Sequence, residues 1–387
     1  MKSPSSRRNF LFASLSLPAA GVAAVGRREI SALPALASAA SPSLSYRTLG
    51  RTGLKVTTVG FGCMITSDPT VIARALDMGI NYFDTARGYQ QGNNERMVGG
   101  VIKGHRDKIV LSSKSQATTR AQAEEHLETS LKELGTDHLD IWYMHARDSA
   151  DRITDECLEA WQAAKKAGKV RFIGVSTHNP NAIADRVLSA GIFDVVLSTY
   201  NFTVGTNNDA TYKRFRDAGI GLVAMKVMAP AAGSRGRGGE PPRPAGPPEK
   251  FLASLKWVLR NEMISTTVPS MTDIDQLEIN FRAMSERFGP ADEKVLARLN
   301  EEIRPLYCRM CYQCAGQCPK GVPVADTLRY LSYLDFYGQY TLAREHFQSL
   351  PEQVQSIRCS DCSACAVHCP NGVHVRERLI RAQNWLA

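Results

Sequence analysis

The chain has 387 residues, 43% of them apolar and 22% charged, which suits one large globular domain and a smaller one and excludes a disordered or fibrous chain. Its formal charge is +9, but residues 1–40 carry five basic side chains and one acidic one, so +4 belongs there and +5 to the remainder, too little to argue for nucleic acid. Beyond the N-terminus no stretch approaches the roughly 20 apolar residues of a membrane span.

At the N-terminus Arg7-Arg8 precede a mostly apolar run from Phe10 to Val25, 16 residues long and containing Pro18 and Gly21. That is short for an uncleaved anchor, which takes about 20 residues. Ala35-Leu36-Ala37 offers one small-residue cleavage point. Ser6-Arg7-Arg8-Asn9-Phe10-Leu11 resembles a twin-arginine signal peptide, with Phe12 where a lysine often follows. The resemblance implies that residues 1–40 are a leader read by the twin-arginine translocase. It also implies export in folded form to a periplasmic or otherwise external location, with no permanent membrane span.

From Tyr46 to Gly62 the pattern predicts a short hairpin turning near Arg51-Thr52-Gly53. Strand-like runs then follow at 58–63, 81–85, 108–114, 139–145, 170–176, 193–200, 220–227 and 264–270. Several are apolar throughout, as parallel strands covered on both faces are. Helical patterns separate them; Ala123, Leu127, Leu131 and Leu134 form one stripe that Gly135 ends. Eight strands alternating with helices predict a TIM (β/α)8 barrel over residues 44–288. A doubly wound open sheet is the runner-up, and no G-x-G-x-x-G follows the first strand. Residues 230–248, rich in Pro and Gly, predict an irregular loop after the seventh strand, a floppy insertion or a lid.

Barrel chemistry sits at the C-terminal ends of strands. Those positions hold Asp84, Lys114 and His145, with Tyr89 five residues past Asp84. A tyrosine hydroxyl is a weak acid, with a pKa of about 10. An adjacent ammonium lowers that value, an aspartate holds the lysine, and a histidine orients a carbonyl oxygen. Asp84, Tyr89, Lys114 and His145 are thus candidate catalytic residues for carbonyl reduction.

Residues 46–286 resemble the aldo/keto reductase family. The resemblance is carried by the run from Tyr46 to Gly53, by Gly79-Ile80-Asn81-Tyr82-Phe83-Asp84-Thr85-Ala86 with Tyr89, by Asn94-Glu95 and Val98-Gly99, and by Asp140-Ile141-Trp142-Tyr143-Met144-His145. It implies a TIM barrel, a hydride moved between a nicotinamide (NADP or NAD) and a carbonyl carbon, and a small carbonyl or alcohol substrate. The cofactor positions that carry over are Ser176, Thr177, Met225, Ser270, Thr272 and Asn280. Thr177 replaces the family's asparagine, Leu197 its glutamine and Met225 its stacking aromatic. The run Ser270 to Gln276 offers hydroxyls and two acids where the family often has a base for the 2′-phosphate.

The C-terminal segment, 304–387, holds eight of the ten cysteines. Cys308, Cys311, Cys314 and Cys318 read C-x2-C-x2-C-x3-C before Pro319, and Cys359, Cys362, Cys365 and Cys369 repeat it before Pro370. This run wraps 4Fe–4S clusters in bacterial-type ferredoxins, where the fourth cysteine of each run ligates the other cluster. Two 4Fe–4S clusters are expected, with Cys318 serving the second and Cys369 the first. Zinc sites favour two C-x2-C pairs, and disulfides do not require matched quartets. Cys63 and Cys157 lack partner spacing and read as small buried hydrophobes. Helices are expected at 324–337 and 341–349, giving a small, mainly helical ferredoxin-like domain in place of the reductases' substrate-closing tail.

Three functions fit. One is an exported oxidoreductase acting on a carbonyl or alcohol, with the clusters linking it to a redox partner protein or a quinone-linked carrier. Another is an electron-transfer or binding protein with a retired barrel. The third is a nicotinamide-free reductase fed by the clusters. A nicotinamide gives two electrons as hydride and a cluster passes one, so the first reading needs a relay; no clear flavin motif is present.

Overall fold

The computed structural model describes residues 43–228 and 248–387. The expected leader lies outside the described residues, as does the expected loop at 230–248 except for Pro248, which opens a helix.

An antiparallel hairpin, β1 (Tyr46–Thr48) and β2 (Lys55–Thr57), comes first. Eight parallel strands follow in one sheet, each hydrogen-bonded to the next in chain order. They are β3 (Phe61–Gly62), β4 (Tyr82–Asp84), β5 (Val110–Ser115), β6 (Leu139–Met144), β7 (Val170–Thr177), β8 (Val195–Thr199), β9 (Gly221–Met225) and β10 (Ile264–Thr267). Parallel bridges from Val59 to Thr267 and from Gly62 to Ser270 join the last strand to the first and close the barrel. The expected strands are all present. The expected hairpin, however, ends at Thr57, and Phe61–Gly62 belongs to the barrel. Closure is tight here: a Cβ on Gly62 would stand 2.5 Å from the Val268 carbonyl oxygen.

Helices α1 (Pro69–Asp77), α2 (Asn93–Ile102), α3 (Arg120–Leu134), α4 (Asp155–Lys166), α5 (Pro180–Ala190), α6 (Asp209–Asp217), α7 (Pro248–Leu259) and α8 (Ile274–Arg282) surround the barrel. Alternation along each strand divides the core in two. Tyr82, Ile141, Tyr143, Val195 and Val223 fill the interior, closed below by Leu49 and Val56 of the hairpin segment. Phe61, Phe83, Trp142 and Val175 face the helices. Trp142 stacks on Trp161 of α4 at 3.9 Å, and the indole N–H of Trp161 donates to the Trp142 carbonyl. Tyr82 and Tyr143 share a 2.7 Å hydrogen bond inside the barrel, which satisfies two hydroxyls that burial would otherwise strand.

The chain continues through α9 (Pro290–Ile303) into α10 (Val324–Asp335), α11 (Tyr340–Gln348), α12 (Glu352–Gln355) and α13 (Val375–Leu386). α10, α11 and α13 share an apolar core containing Tyr330, Leu331, Ala343, Phe347 and Leu386. The segment also joins the barrel's outer core: Ile303, Tyr307, Met310 and Phe336 are buried in one continuous cluster with it. No helix among the described residues is long and apolar enough to cross a membrane.

Candidate active site and cluster ligands

Asp84 ends β4, Lys114 lies near the end of β5, and His145 directly follows β6. Parallel pairing sets these strand ends side by side. The Lys114 ammonium donates to Asp84 Oδ2 at 2.5 Å, to the Thr85 carbonyl at 2.7 Å and to the Tyr89 hydroxyl at 3.2 Å. Ser112 Oγ donates to the other Asp84 oxygen at 2.7 Å. The Tyr89 and His145 rings meet edge to face at 5.8 Å. All four expected catalytic residues therefore come together.

The turn carrying Tyr89 is held from beneath. Thr85 Oγ1 donates to Asn94 Oδ1, Asn94 Nδ2 donates to the Cys63 carbonyl, and buried Glu95 accepts from Ser113 and pairs with Arg87. Gln90 and Gln91, just after Tyr89, adopt left-handed backbone conformations that turn the chain into α2.

Burial, with Asp84 and Tyr333 adding to it, pushes the Tyr89 phenol up to about 12; the Lys114 ammonium opposes this without winning. The expected direction is thus corrected: in the resting site the dehydrated phenol is a weaker acid than in water. Burial also disfavours the Lys114 cation, but Asp84 and Tyr89 outweigh it and hold the ammonium above its ordinary value. Burial and the nearby Lys114 charge keep His145 well below the ordinary histidine value, so its imidazole is neutral.

The expected cofactor contacts are more dispersed. Ser176 Oγ accepts from the Ala146 N–H at 2.8 Å and keeps its own proton to donate. Thr177 is buried; its hydroxyl donates to Asp148 and accepts from the Asn179 N–H, which leaves it no free donor. Met225 ends β9 against the inner core. Ser270 lies at the closing bridge, and exposed Thr272 bonds Gln276 and Asp273 at the start of α8. Asn280 is 1% exposed, and neither its amide nitrogen nor its amide oxygen has a partner. An orphaned buried amide fits a ligand with both donor and acceptor edges, such as an adenine.

Sequence reasoning missed a second layer over the barrel mouth. Asp148 accepts from the His178 backbone N–H at 2.6 Å and lies 3.2 Å from its ring nitrogen. Arg329 of α10 reaches Asp148 at 3.4 Å and Asp326 at 2.8 Å. Lys226 Nζ lies 4.4 Å from the Tyr333 ring centre, and His346 of α11 stacks on Tyr330. Lys226 follows a strand end, so the rule that found Lys114 could have found it. Arg329 and Tyr333, four residues apart, share one face of α10, and their distant partners gave no signal.

The eight motif cysteines form no disulfide. Cys308, Cys311, Cys314 and Cys369 line one cavity with Val324, Leu328 and Val373. Left-handed backbone at Met310 and Tyr312 curls the first motif so that its thiols converge. Burial raises the Cys359 thiol, Gln383 opposes, and neighbouring Cys362, Cys318 and Cys365 add to the rise, which marks the second quartet. Cys369 thus lies with the thiols of the first motif and Cys318 near Cys359, an arrangement that fits the exchange of fourth ligands in two-cluster ferredoxins. Among the described residues no group of three His, Cys, Asp or Glu side chains is arranged for a single metal ion; four thiols around a cavity fit a cubane instead. Amide N–H groups of Asn371 and Gln383 donate to Cys311 and Cys359 sulfur at 3.3 and 3.4 Å. Cys63 and Cys157 are buried, and neither lies among these thiols.

Comparison with known proteins agrees with this geometry. Residues 67–253 match the aldo/keto reductase family, and residues 307–374 match the 4Fe-4S dicluster domain. An uncharacterized oxidoreductase, YqkF, of Bacillus subtilis is 32% identical over 39% of this chain, which spans about half (55%) of that relative's length. L-galactose dehydrogenase of Arabidopsis thaliana is 28% identical over 68% of this chain and 95% of its own. The holo form of aldo-keto reductase AKR11C1 from Bacillus halodurans superposes with a TM-score of 0.56 at 26% identity, covering 66% of this chain and 96% of that one. The chain therefore carries an aldo/keto reductase domain followed by a 4Fe-4S dicluster domain. Its aldo-keto reductase homologues and structure neighbours indicate an oxidoreductase.

Proposed function

We propose that this protein interconverts a carbonyl and an alcohol at the barrel mouth and exchanges electrons with an external carrier through its C-terminal domain. The observation that carries the reading is Lys114 bonded at once to Asp84 and Tyr89. In the reducing direction the Tyr89 hydroxyl gives its proton to the substrate oxygen. Lys114 stabilises the phenolate left behind, and Asp84 keeps Lys114 charged and in place. His145, held neutral, offers the oxygen a hydrogen bond without adding charge. Ser176, with a free hydroxyl proton, and Asn280, with an unpartnered amide, are the residues that would hold NADP or NAD. A nicotinamide, where bound, supplies the hydride, and 4Fe–4S clusters supply one-electron exchange.

Arg7-Arg8 before a modest apolar run supports export in folded form by the twin-arginine route. A nicotinamide-free reductase fed by the clusters is the second reading. It is favoured by the engaged Thr177 hydroxyl and by the acidic start of α8. Two measurements separate the readings: the dinucleotide and flavin content of anaerobically purified protein, and turnover of a carbonyl and alcohol panel with NADPH, NADH or reduced viologen. Viologen-linked turnover without nicotinamide-linked turnover would replace the first reading by the second. Silence with every donor would leave a retired barrel.

A further inference from the structure

Lys226 is an odd cation of the barrel mouth. Lys114 is matched with Asp84, and Arg329 with Asp326 and Asp148; Arg147, just past His145, has no carboxylate partner and gives its Nη2 to the Ala117 carbonyl. Among the described residues no carboxylate forms a salt bridge with Lys226; its ammonium, which burial disfavours, interacts with the Tyr333 side chain and lies 4.4 Å from the Tyr333 ring centre and 5.0 Å from that of Tyr337. Its backbone is left-handed, with φ at +59°, a conformation that residues bearing a side chain rarely adopt. Two further groups in this layer are incompletely bonded. Arg329 Nε and the Tyr337 hydroxyl are buried and have no hydrogen-bond partner.

The layer adjoins the catalytic quartet. Tyr333 lies close enough to raise the Tyr89 phenol, and Lys226 feels the charge of Lys114. Burial pushes the Tyr333 phenol up, yet the Lys226 ammonium and the Arg329 guanidinium outweigh it and hold it below the ordinary tyrosine value. The surroundings therefore favour negative charge at this spot. His145, His178 and His346 remain neutral, so of the groups beside Tyr333 the cation without a carboxylate is Lys226. One ammonium beside aromatic faces suits a singly charged carboxylate.

We propose that Lys226, walled by Tyr333 and Tyr337 of the cluster domain, binds a carboxylate on the substrate, so that the protein acts on oxo acids or hydroxy acids. This rests on the quartet reading above, since the carboxylate subsite places a carbonyl beside Tyr89. The cluster domain then contributes to substrate selection as well as to electron transfer.

The test is calorimetric binding of pyruvate and of pyruvamide to the anaerobic holoprotein, with no turnover. Pyruvate should bind the more tightly. Lys226→Met should weaken pyruvate by about tenfold or more, the loss of one charge-assisted contact, and leave pyruvamide unchanged. Lys226→Arg should retain pyruvate binding. Unchanged cluster absorbance and EPR would certify that each variant is folded, and Lys226→Gln replaces Lys226→Met if that variant loses its clusters. Equal affinity for the two probes, no binding of pyruvate, or a Lys226 variant that weakens NADP+ while sparing pyruvate would each overturn the proposal. Normal turnover by Tyr89→Phe would defeat the quartet reading alone, because these binding outcomes do not depend on it.

Discussion

Lys114→Met removes the cation from a pair whose two members are almost fully buried, 1% and 4% exposed at the side chain. Three contacts go at once: to Asp84 at 2.5 Å, to Thr85 at 2.7 Å and to Tyr89 at 3.2 Å. The larger cost is what remains. Asp84 keeps a buried carboxylate with Ser112 as its side-chain donor. Breaking a buried pair on one side typically costs about 3–5 kcal/mol, mostly from the stranded charge. The sign with pH is fixed by Lys114, whose folded pKa is raised. Its contribution is fully present below the unfolded value of about 10.5 and is lost only as pH rises above it, so pH 7 reads the whole effect. Guanidinium denaturation of the anaerobic protein, followed by tryptophan fluorescence, should show Lys114→Met destabilised by about that amount. Lys114→Met with Asp84→Asn should recover most of the stability, because the orphan charge is gone, and none of the turnover. Equal destabilisation of single and double variants would refute the stranded-charge argument. Turnover restored in the double variant would show that Lys114 does not assist Tyr89.

Tyr89→Phe should lower turnover by about 10²–10⁴-fold with the clusters intact, and the wild type should show no alkaline limb from Tyr89 below about pH 11, since its phenol is held near 12. Burial, with the Arg329 charge beside it, lowers the His178 pKa from 6.5 to about 4, so stability present above pH 6.5 is lost as pH falls; roughly 2 kcal/mol should go between pH 7 and pH 5 by denaturant titration, and less in His178→Asn. Cys369→Ala should abolish the cluster built on Cys308, Cys311 and Cys314 rather than the one beside its own motif. Its EPR spectrum should therefore match that of Cys311→Ala, and a match to Cys365→Ala would mean the fourth ligands are not exchanged. Changing Arg7 and Arg8 together to lysine should leave the precursor in the cytoplasm by cell fractionation, and unimpeded export would remove the twin-arginine reading.

Much of this was legible in the sequence because it is local. Strand runs are short and apolar, and the barrel rule converts a strand end into a site position. Asp84, Lys114 and His145 followed from that alone, and each cluster quartet announced itself by spacing. What was hidden depends on non-local contact or on the balance of opposing effects. The net rise of the Tyr89 phenol required knowing how deeply Lys114 and Asp84 are buried, since sequence supplies the neighbours but not the dehydration. Thr177 looked available for a cofactor until Asp148, nearly thirty residues earlier, was found to hold its hydroxyl. Arg329 and Tyr333 read as ordinary helix residues because the groups they meet, Asp148 and Lys226, come from separate barrel loops.

Helix α10 serves two neighbours at once. Val324 and Leu328 wall the cysteine cavity, and the next turn presents Arg329 and Tyr333 to the barrel mouth. Tyr307, Met310 and Phe336 meanwhile complete the barrel's own apolar layer. The two domains are therefore not interchangeable parts. A barrel cut free of its companion would lose the far wall of its catalytic chamber and uncover apolar side chains fit for aggregation. Any lineage that acquired this appendage could discard it only by rebuilding both surfaces together, so the union, once made, is self-preserving.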